Sequence, residues 1–131
     1  MATLATGSGS MFVGLIGTWI DGPDNASYSA FFAARASGEL FCEVDDNATD
    51  QSATSGVTAT TAQWKTLRID CRDVTNIKFY IDGVQVATGT TFAFAATGAN
   101  ALMQPYIGCY KVSGTGVGTL SVDYGKVWCQ R

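Results

Sequence analysis

From Met11 onward the chain is a series of short apolar runs separated by clusters of Gly, Asn, Asp and Ser. That rhythm predicts an all-β sandwich or barrel, because each run is long enough for a strand and too short for most helices. Strands are predicted near 11–16, 28–35, 39–45, 53–60, 63–72, 76–82, 84–90, 103–111 and 119–129. The sharpest unit is Asn76-Ile-Lys-Phe-Tyr-Ile-Asp-Gly-Val-Gln-Val-Ala-Thr88. Asp82-Gly83 suits a two-residue type I′ turn, which needs positive φ at both central positions. Folding there sets Ile81 opposite Val84 and Phe79 opposite Val86 on one dry face. Lys78, Tyr80 and Gln85 fall on the wetter one.

The run Trp64-Lys-Thr-Leu-Arg-Ile-Asp-Cys71 alternates too, with Leu67, Ile69 and Cys71 pointing one way and Thr66, Arg68 and Asp70 the other. In the last run Leu120, Val122, Tyr124 and Trp128 share a side. Trp64 and Trp128 are expected in the core as large aromatics. Tyr28-Ser-Ala-Phe-Phe-Ala-Ala-Arg35 is ambiguous, since its aromatics also fit helical spacing and alanine favours helix. Strand neighbours and the nearby Gly38 favour strand. Residues 1–10 are small and polar and form an N-terminal arm, leaving 11–131 as a single domain.

Composition narrows the function. Hydrophobic residues make up 47% and charged residues 15% of 131 positions, a globular balance that excludes disorder. The net charge is −3 and the eight basic residues are scattered, which argues against nucleic acid. No apolar run reaches the roughly 18 residues of a membrane helix. The N-terminus has neither the basic nor the apolar region of a signal peptide, so no membrane or secretory route is expected. The Asn25-Ala-Ser27 and Asn47-Ala-Thr49 sequons are accordingly read as turn residues. With no histidine and no paired Cys-x-x-Cys, a zinc site is improbable. Cys42, Cys71, Cys109 and Cys129 read as small buried hydrophobes, with one disulfide left open.

Three segments in order, Gln63-Trp-Lys-Thr-Leu-Arg-Ile, Ile77-Lys-Phe-Tyr-Ile-Asp-Gly-Val-Gln-Val-Ala and Leu120-Ser-Val-Asp-Tyr-Gly-Lys-Val-Trp128, carry a family resemblance. Together they resemble the concanavalin A-like lectin/glucanase superfamily, which includes laminin-G-like modules and family 16 glycoside hydrolases. The resemblance spans about residues 11 to 129 and implies a two-sheet antiparallel jelly-roll β-sandwich. Thr91-Phe-Ala-Phe-Ala-Ala-Thr-Gly-Ala-Asn-Ala-Leu-Met-Gln-Pro-Tyr106 is similar to a loop of tailed-phage virion structural and decoration proteins. The chain is short for the superfamily, so either peripheral strands are missing or a partner chain covers the open sheet edge.

The resemblance sets which chemistry to look for. Hydrolases of this fold carry two carboxylates about 5–5.5 Å apart when retaining, drawn from an E-x-D-x-E or E-x-D-x-x-E strand. Glu43 and Asp45 supply the first two acids, but Asn47 and Ala48 occupy the third position, so no enzyme and no catalytic residue is expected. A degenerate glycoside hydrolase is the least favoured reading. Calcium wants six to eight oxygens. Asp45, Asp46 and Asp50 cluster without a recognisable loop, and no metal or other cofactor is expected; Asp123 is the residue to watch. For a sugar, Trp19 and Tyr106 are the candidate stacking platforms.

The leading expectation, implied by the viral resemblance, is a non-enzymatic capsid decoration protein on the virion surface, made in the host cytoplasm. Its partners would be the major capsid protein and further copies of itself in a symmetric homo-oligomer. The contact residues would be the arm (Met1, Ala2, Thr3 and Leu4) and an exposed loop around Phe92 and Phe94. The alternative is a carbohydrate-binding module of a tail or host-recognition device, with Trp19 and Tyr106 meeting the glycan.

Overall fold

The structure is a computed structural model that describes residues 2–3, 9–35, 38–60, 63–111 and 119–128. Among the described residues ten strands run in order: β1 (Ala2–Thr3), β2 (Gly9–Ile16), β3 (Ser29–Ala34), β4 (Glu39–Asp45), β5 (Asp50–Thr58), β6 (Leu67–Asp70), β7 (Lys78–Ile81), β8 (Val84–Val86), β9 (Gln104–Lys111) and β10 (Thr119–Leu120). They form an antiparallel five-stranded sheet in the order β5-β4-β3-β2-β9, a three-stranded sheet β6-β7-β8, and the short pair β1-β10. The two larger sheets stack as the expected jelly-roll sandwich. The only helical turns among the described residues are short 3₁₀ turns at Pro23–Asn25 and Gly98–Ala101.

The ambiguous run is settled by position. β3 lies in the middle of the five-stranded sheet, and all six of its residues are buried. A central strand covered on both faces reads as continuous apolar sequence, so the alternation that marks a half-buried strand is missing. Phe32, Ala30 and Ala34 face the inter-sheet core together with Met11, Leu40, Cys42 and Val44. The opposite sheet contributes Ile77, Phe79 and Ile81. Phe79 meets Phe32 edge-on at 5.1 Å and Phe92 at 5.0 Å between ring centroids. Such pairs add about 0.5–1.5 kcal/mol to ordinary burial.

The β7–β8 hairpin follows the sequence closely. Asp82 and Gly83 take φ of 51° and 83°, and Ile81 pairs with Val84, Phe79 with Val86 and Tyr80 with Gln85. The Asp82 carboxylate also accepts the Thr66 backbone N–H at 2.9 Å and pairs with Lys65 at 2.8 Å. This ties the approach to β6 onto the turn.

Several expectations fail, each for a physical reason. Phe92 and Phe94 are 2% and 7% exposed, so they belong to the core and not to a docking loop. Their segment is an extended tie between the sheets. Ile77 N–H donates to the Phe92 carbonyl, Phe94 N–H to the Val74 carbonyl, and Ala93 N–H to the Gln51 side chain. With its backbone bonded on both sides, the segment turns its rings inward.

Trp64 is 62% exposed because it shares the parity of Thr66 and Arg68, the outward face of the strand that follows. Trp128 is 72% exposed because the predicted last strand stops at Leu120. Among the described residues, 121–128 join no ladder, and Val122, Tyr124 and Trp128 are 48%, 74% and 72% exposed.

Ala2 and Thr3 pair with Leu120 and Thr119 of the same chain, so that part of the arm joins its own domain. Gly9 and Ser10 already belong to β2, while Met1 and Leu4 lie outside the described residues. Of the cysteines, Cys42 is buried and Cys71 half-buried against the core, but Cys109 is exposed on edge strand β9. All three are free thiols. Cys129 lies outside the described residues.

Candidate functional site

Register places a set of loops at one end of the sandwich. Across the five-stranded sheet Asp50 pairs with Asp45, Asp45 with Ser29, Ser29 with Ile16, and Ile16 with Gln104. The β2–β3 loop (17–28), the β4–β5 turn (46–49) and the segment entering β9 therefore leave the sheet along this row. Sandwiches concentrate recognition in such loop ends, where a rigid scaffold positions variable side chains.

Trp19 and Tyr106, far apart in sequence, meet here. The Trp19 side chain lies beside the Tyr106 hydroxyl. Trp19 keeps 61% of its surface exposed. Gly108 makes room for this arrangement. A Cβ there would lie 2.7 Å from the Tyr106 hydroxyl oxygen, so only glycine lets the ring lie along β9. Gln104 anchors the start of the loop, donating from Nε2 to the Gly17 carbonyl at 3.1 Å. Burial raises the Tyr106 hydroxyl pKa above its usual value, which keeps it a neutral donor and acceptor.

A cleft of about 230 Å³ opens at the same end, lined by Tyr28, Asp46, Ala48, Ala95, Ala96, Thr97 and Asn100. Asp46 forms its hinge. Oδ1 accepts the N–H groups of Ala48 and Thr49 at 3.0 and 2.8 Å, and Oδ2 accepts that of Ala95 at 3.0 Å. The Ala95 amide, followed by that of Thr49, holds the carboxyl below its ordinary value, so it is ionised at neutral pH. The sequence marked Asp46 as a turn acid. It gave no signal for Tyr28 or Asn100, whose roles depend on chain crossings far apart in sequence. Asn47 sits in this turn at φ 66°, a conformation asparagine tolerates.

The outer face of the five-stranded sheet carries the residues a hydrolase would use. Phe31, Ala33 and Phe12 are buried there with Phe41, Tyr106 and Tyr110 packed against them. The β2–β3 loop covers part of this face, and Gly22 passes close to the Tyr110 hydroxyl. Glu43 and Asp45 do project on one side of β4, as their spacing predicts. Glu43, however, is engaged by Arg35 at 2.6 Å and by the Ser52 hydroxyl at 3.2 Å, with its side chain 7% exposed. Arg35 in turn stacks over Phe41 at 4.6 Å. A carboxylate held by a guanidinium is stabilised as an anion and is a poor proton donor. Asp45 differs: burial raises its carboxyl pKa, opposed by the Asn47 N–H that donates to Oδ1 at 2.7 Å.

Asp45, Asp46 and Asp50 do not assemble an ion site. Among the described residues no three Asp, Glu, Cys or His side chains converge as metal ligands, and Asp123 is exposed on the segment after β10.

No curated protein and no solved structure matches the chain. A laminin-G-like family model matches residues 5–120, ending where β10 ends. Of the three sequence segments, the first two lie inside the match and the third lies almost wholly beyond it. The fold, the inter-sheet core and this match agree, and the chain belongs to the laminin-G-like family of the concanavalin A-like lectin/glucanases superfamily.

Proposed function

We propose that the chain is a non-enzymatic binding module whose ligand is a carbohydrate, met at the loop end of the sandwich by Trp19 and Tyr106. One observation carries this reading: an indole 61% exposed stands beside the half-buried Tyr106 phenol at the loop end. Sugar faces are apolar patches ringed by hydroxyls, so an open aromatic ring beside polar groups is what they stack on. The family supports a lectin-like module. The non-enzymatic part rests on Glu43, whose bonds to Arg35 and Ser52 and missing third acid leave no acid–nucleophile pair.

The test is a glycan array followed by calorimetry on the best binder. Trp19→Ala should weaken binding at least tenfold with an unchanged melting temperature, since the ring contributes little to the core. An array with no binder, or a Trp19→Ala affinity equal to that of the parent, would sink the reading.

A second reading has its own support. Val122, Tyr124, Val127 and Trp128 are 48%, 74%, 58% and 72% exposed on one unladdered segment. Such a run suits a protein partner, as in a virion decoration protein docking as a homo-oligomer on the head lattice of a tailed phage. Quantitative mass spectrometry of purified particles from the source decides it. Hundreds of copies per particle fit decoration, and none refutes it.

A further inference from the structure

We propose that the outward face of the three-stranded sheet is a docking face for an acidic segment of a partner protein, with Arg68 and Trp64 as its anchors. The face belongs to the smaller sheet, whereas Trp19 and Tyr106 lie on the β2–β3 loop and β9, so the proposal stands apart from the carbohydrate reading.

Alternation fixes what this face shows. Phe79 and Ile81 of β7 turn into the core, with Leu67, Ile69 and Val86 packed beside them. Their neighbours along the strands therefore point outward. Across the ladder Arg68 stands opposite Tyr80, Asp70 opposite Lys78, and Tyr80 opposite Gln85. The pairing runs one step further: Asp82 N–H donates to the Thr66 carbonyl at 2.9 Å, and the Asp82 carboxylate accepts the Thr66 N–H. Trp64 lies two residues beyond with the same parity and is 62% exposed.

Charge and ring chemistry select the occupant. Arg68, Lys78 and Arg72, which reaches back from the turn after β6, face a single carboxylate, Asp70. The chain as a whole has a net charge of −3, so this is a positive face on an acidic protein. Arg72 takes both Asp70 oxygens, at 2.8 and 2.5 Å. Arg68 instead lays its guanidinium over the Tyr80 ring, 3.8 Å from the centroid. Stacking uses the flat side of a guanidinium and leaves its in-plane N–H fork, which matches a carboxylate. It also orders the side chain before a partner arrives, which lowers the cost of docking. Arg, Trp and Tyr are the residue types that carry most of the energy at protein interfaces, and all three meet on this face.

Nucleic acid fits less well. Duplex binders neutralise about 6–10 phosphates, and this face has three cations. An acidic protein segment supplies separate carboxylates for Arg68 and Lys78 and an apolar side chain for Trp64.

The probes are labelled peptides that alternate Glu with Leu, Phe or Ala, each with a matching Gln peptide, titrated against the intact chain by fluorescence anisotropy. At least one Glu peptide should bind while its Gln counterpart does not. Its affinity should fall as salt rises from about 0.05 M to about 0.5 M, as screened charge contacts do. Arg68 and Trp64 are exposed, so Arg68→Ala and Trp64→Ala should keep the parent's circular dichroism. Each should weaken binding by about fivefold or more. Arg68→Lys should recover only part of the loss, because it returns the charge without the fork. Lys126→Ala, a cation on another segment, should bind like the parent. No binding of any Glu peptide overturns the proposal, as does binding indifferent to either Arg68→Ala or Trp64→Ala. Heparin or duplex DNA bound more tightly than every peptide overturns it in favour of general polyanion attraction. Salt-sensitive self-association in the ultracentrifuge, lost in Arg68→Ala, overturns it in favour of a second copy of this chain.

Discussion

Replacing Phe92 with alanine tests whether the segment before β9 is part of the core or a surface loop. Phe92 is 2% exposed, and its ring centroid lies 5.0 Å from that of Phe79. Emptying such a site costs about 3–5 kcal/mol, of which the lost edge-to-face pairing is roughly 0.5–1.5 kcal/mol. Domains of this kind have some 5–15 kcal/mol of stability in total, so the variant should fold but be markedly weakened. With a urea m-value of about 1–3 kcal/mol per molar, the unfolding midpoint should fall by roughly 2 M. Far-UV circular dichroism is the suitable readout. Tryptophan fluorescence is a poor one, because Trp19, Trp64 and Trp128 are 61%, 62% and 72% exposed in the folded chain. Leu102→Ala, at a site 74% exposed, should move stability by less than about 0.5 kcal/mol. A loss below about 1 kcal/mol for Phe92→Ala would put the ring outside the core and refute the inter-sheet tie.

Three further outcomes follow from the same geometry. Arg35→Ala strips a guanidinium from the nearly buried Glu43 carboxylate. Since Arg35 is itself about half exposed, the loss should be about 1–3 kcal/mol, less than for a fully buried pair; an unchanged melting temperature would show the pair to be incidental. Asp46 has a lowered carboxyl pKa, so its stabilisation is fully present above the ordinary value of 3.8 and fades as pH falls through the folded value. Asp46→Asn should therefore be less stable than the parent at neutral pH and converge with it in acid; a gap that is the same at every pH contradicts the bonding described. Finally, burial pushes the Cys42 thiol up to about 12 and Cys71 to about 11, while Cys109 is exposed. Alkylation at mildly basic pH, followed by peptide mass spectrometry, should label Cys109 first and Cys42 only on unfolding. Equal labelling of Cys42 and Cys109 would contradict the core assignment.

The sequence by itself determined what depends on neighbours along the chain. Short apolar runs between turn residues located the strands from β2 to β9, and Asp82-Gly83 set the β7–β8 register, because a two-residue turn leaves the pairing no freedom. The i,i+2 spacing put Glu43 and Asp45 on one side of β4. Trp64 was misread even at this level, since its own parity with Arg68 already pointed outward.

Only the tertiary structure decided which segments find a partner. Phe92 and Phe94 look like loop aromatics until Gln51, Val74 and Ile77 supply backbone bonds that turn them inward. The 119–129 alternation looks like a strand, yet a strand needs a ladder, and that ladder ends at Leu120. Trp19 and Tyr106 were visible as aromatics beside turns, but their contact arises because β2 and β9 pair in a register that brings Gly14 opposite Tyr106. Tyr28, Asp46 and Asn100 share a cleft for the same reason. Periodicity reports which face a residue occupies, whereas its neighbour across the sheet depends on chain crossings that local pattern does not encode.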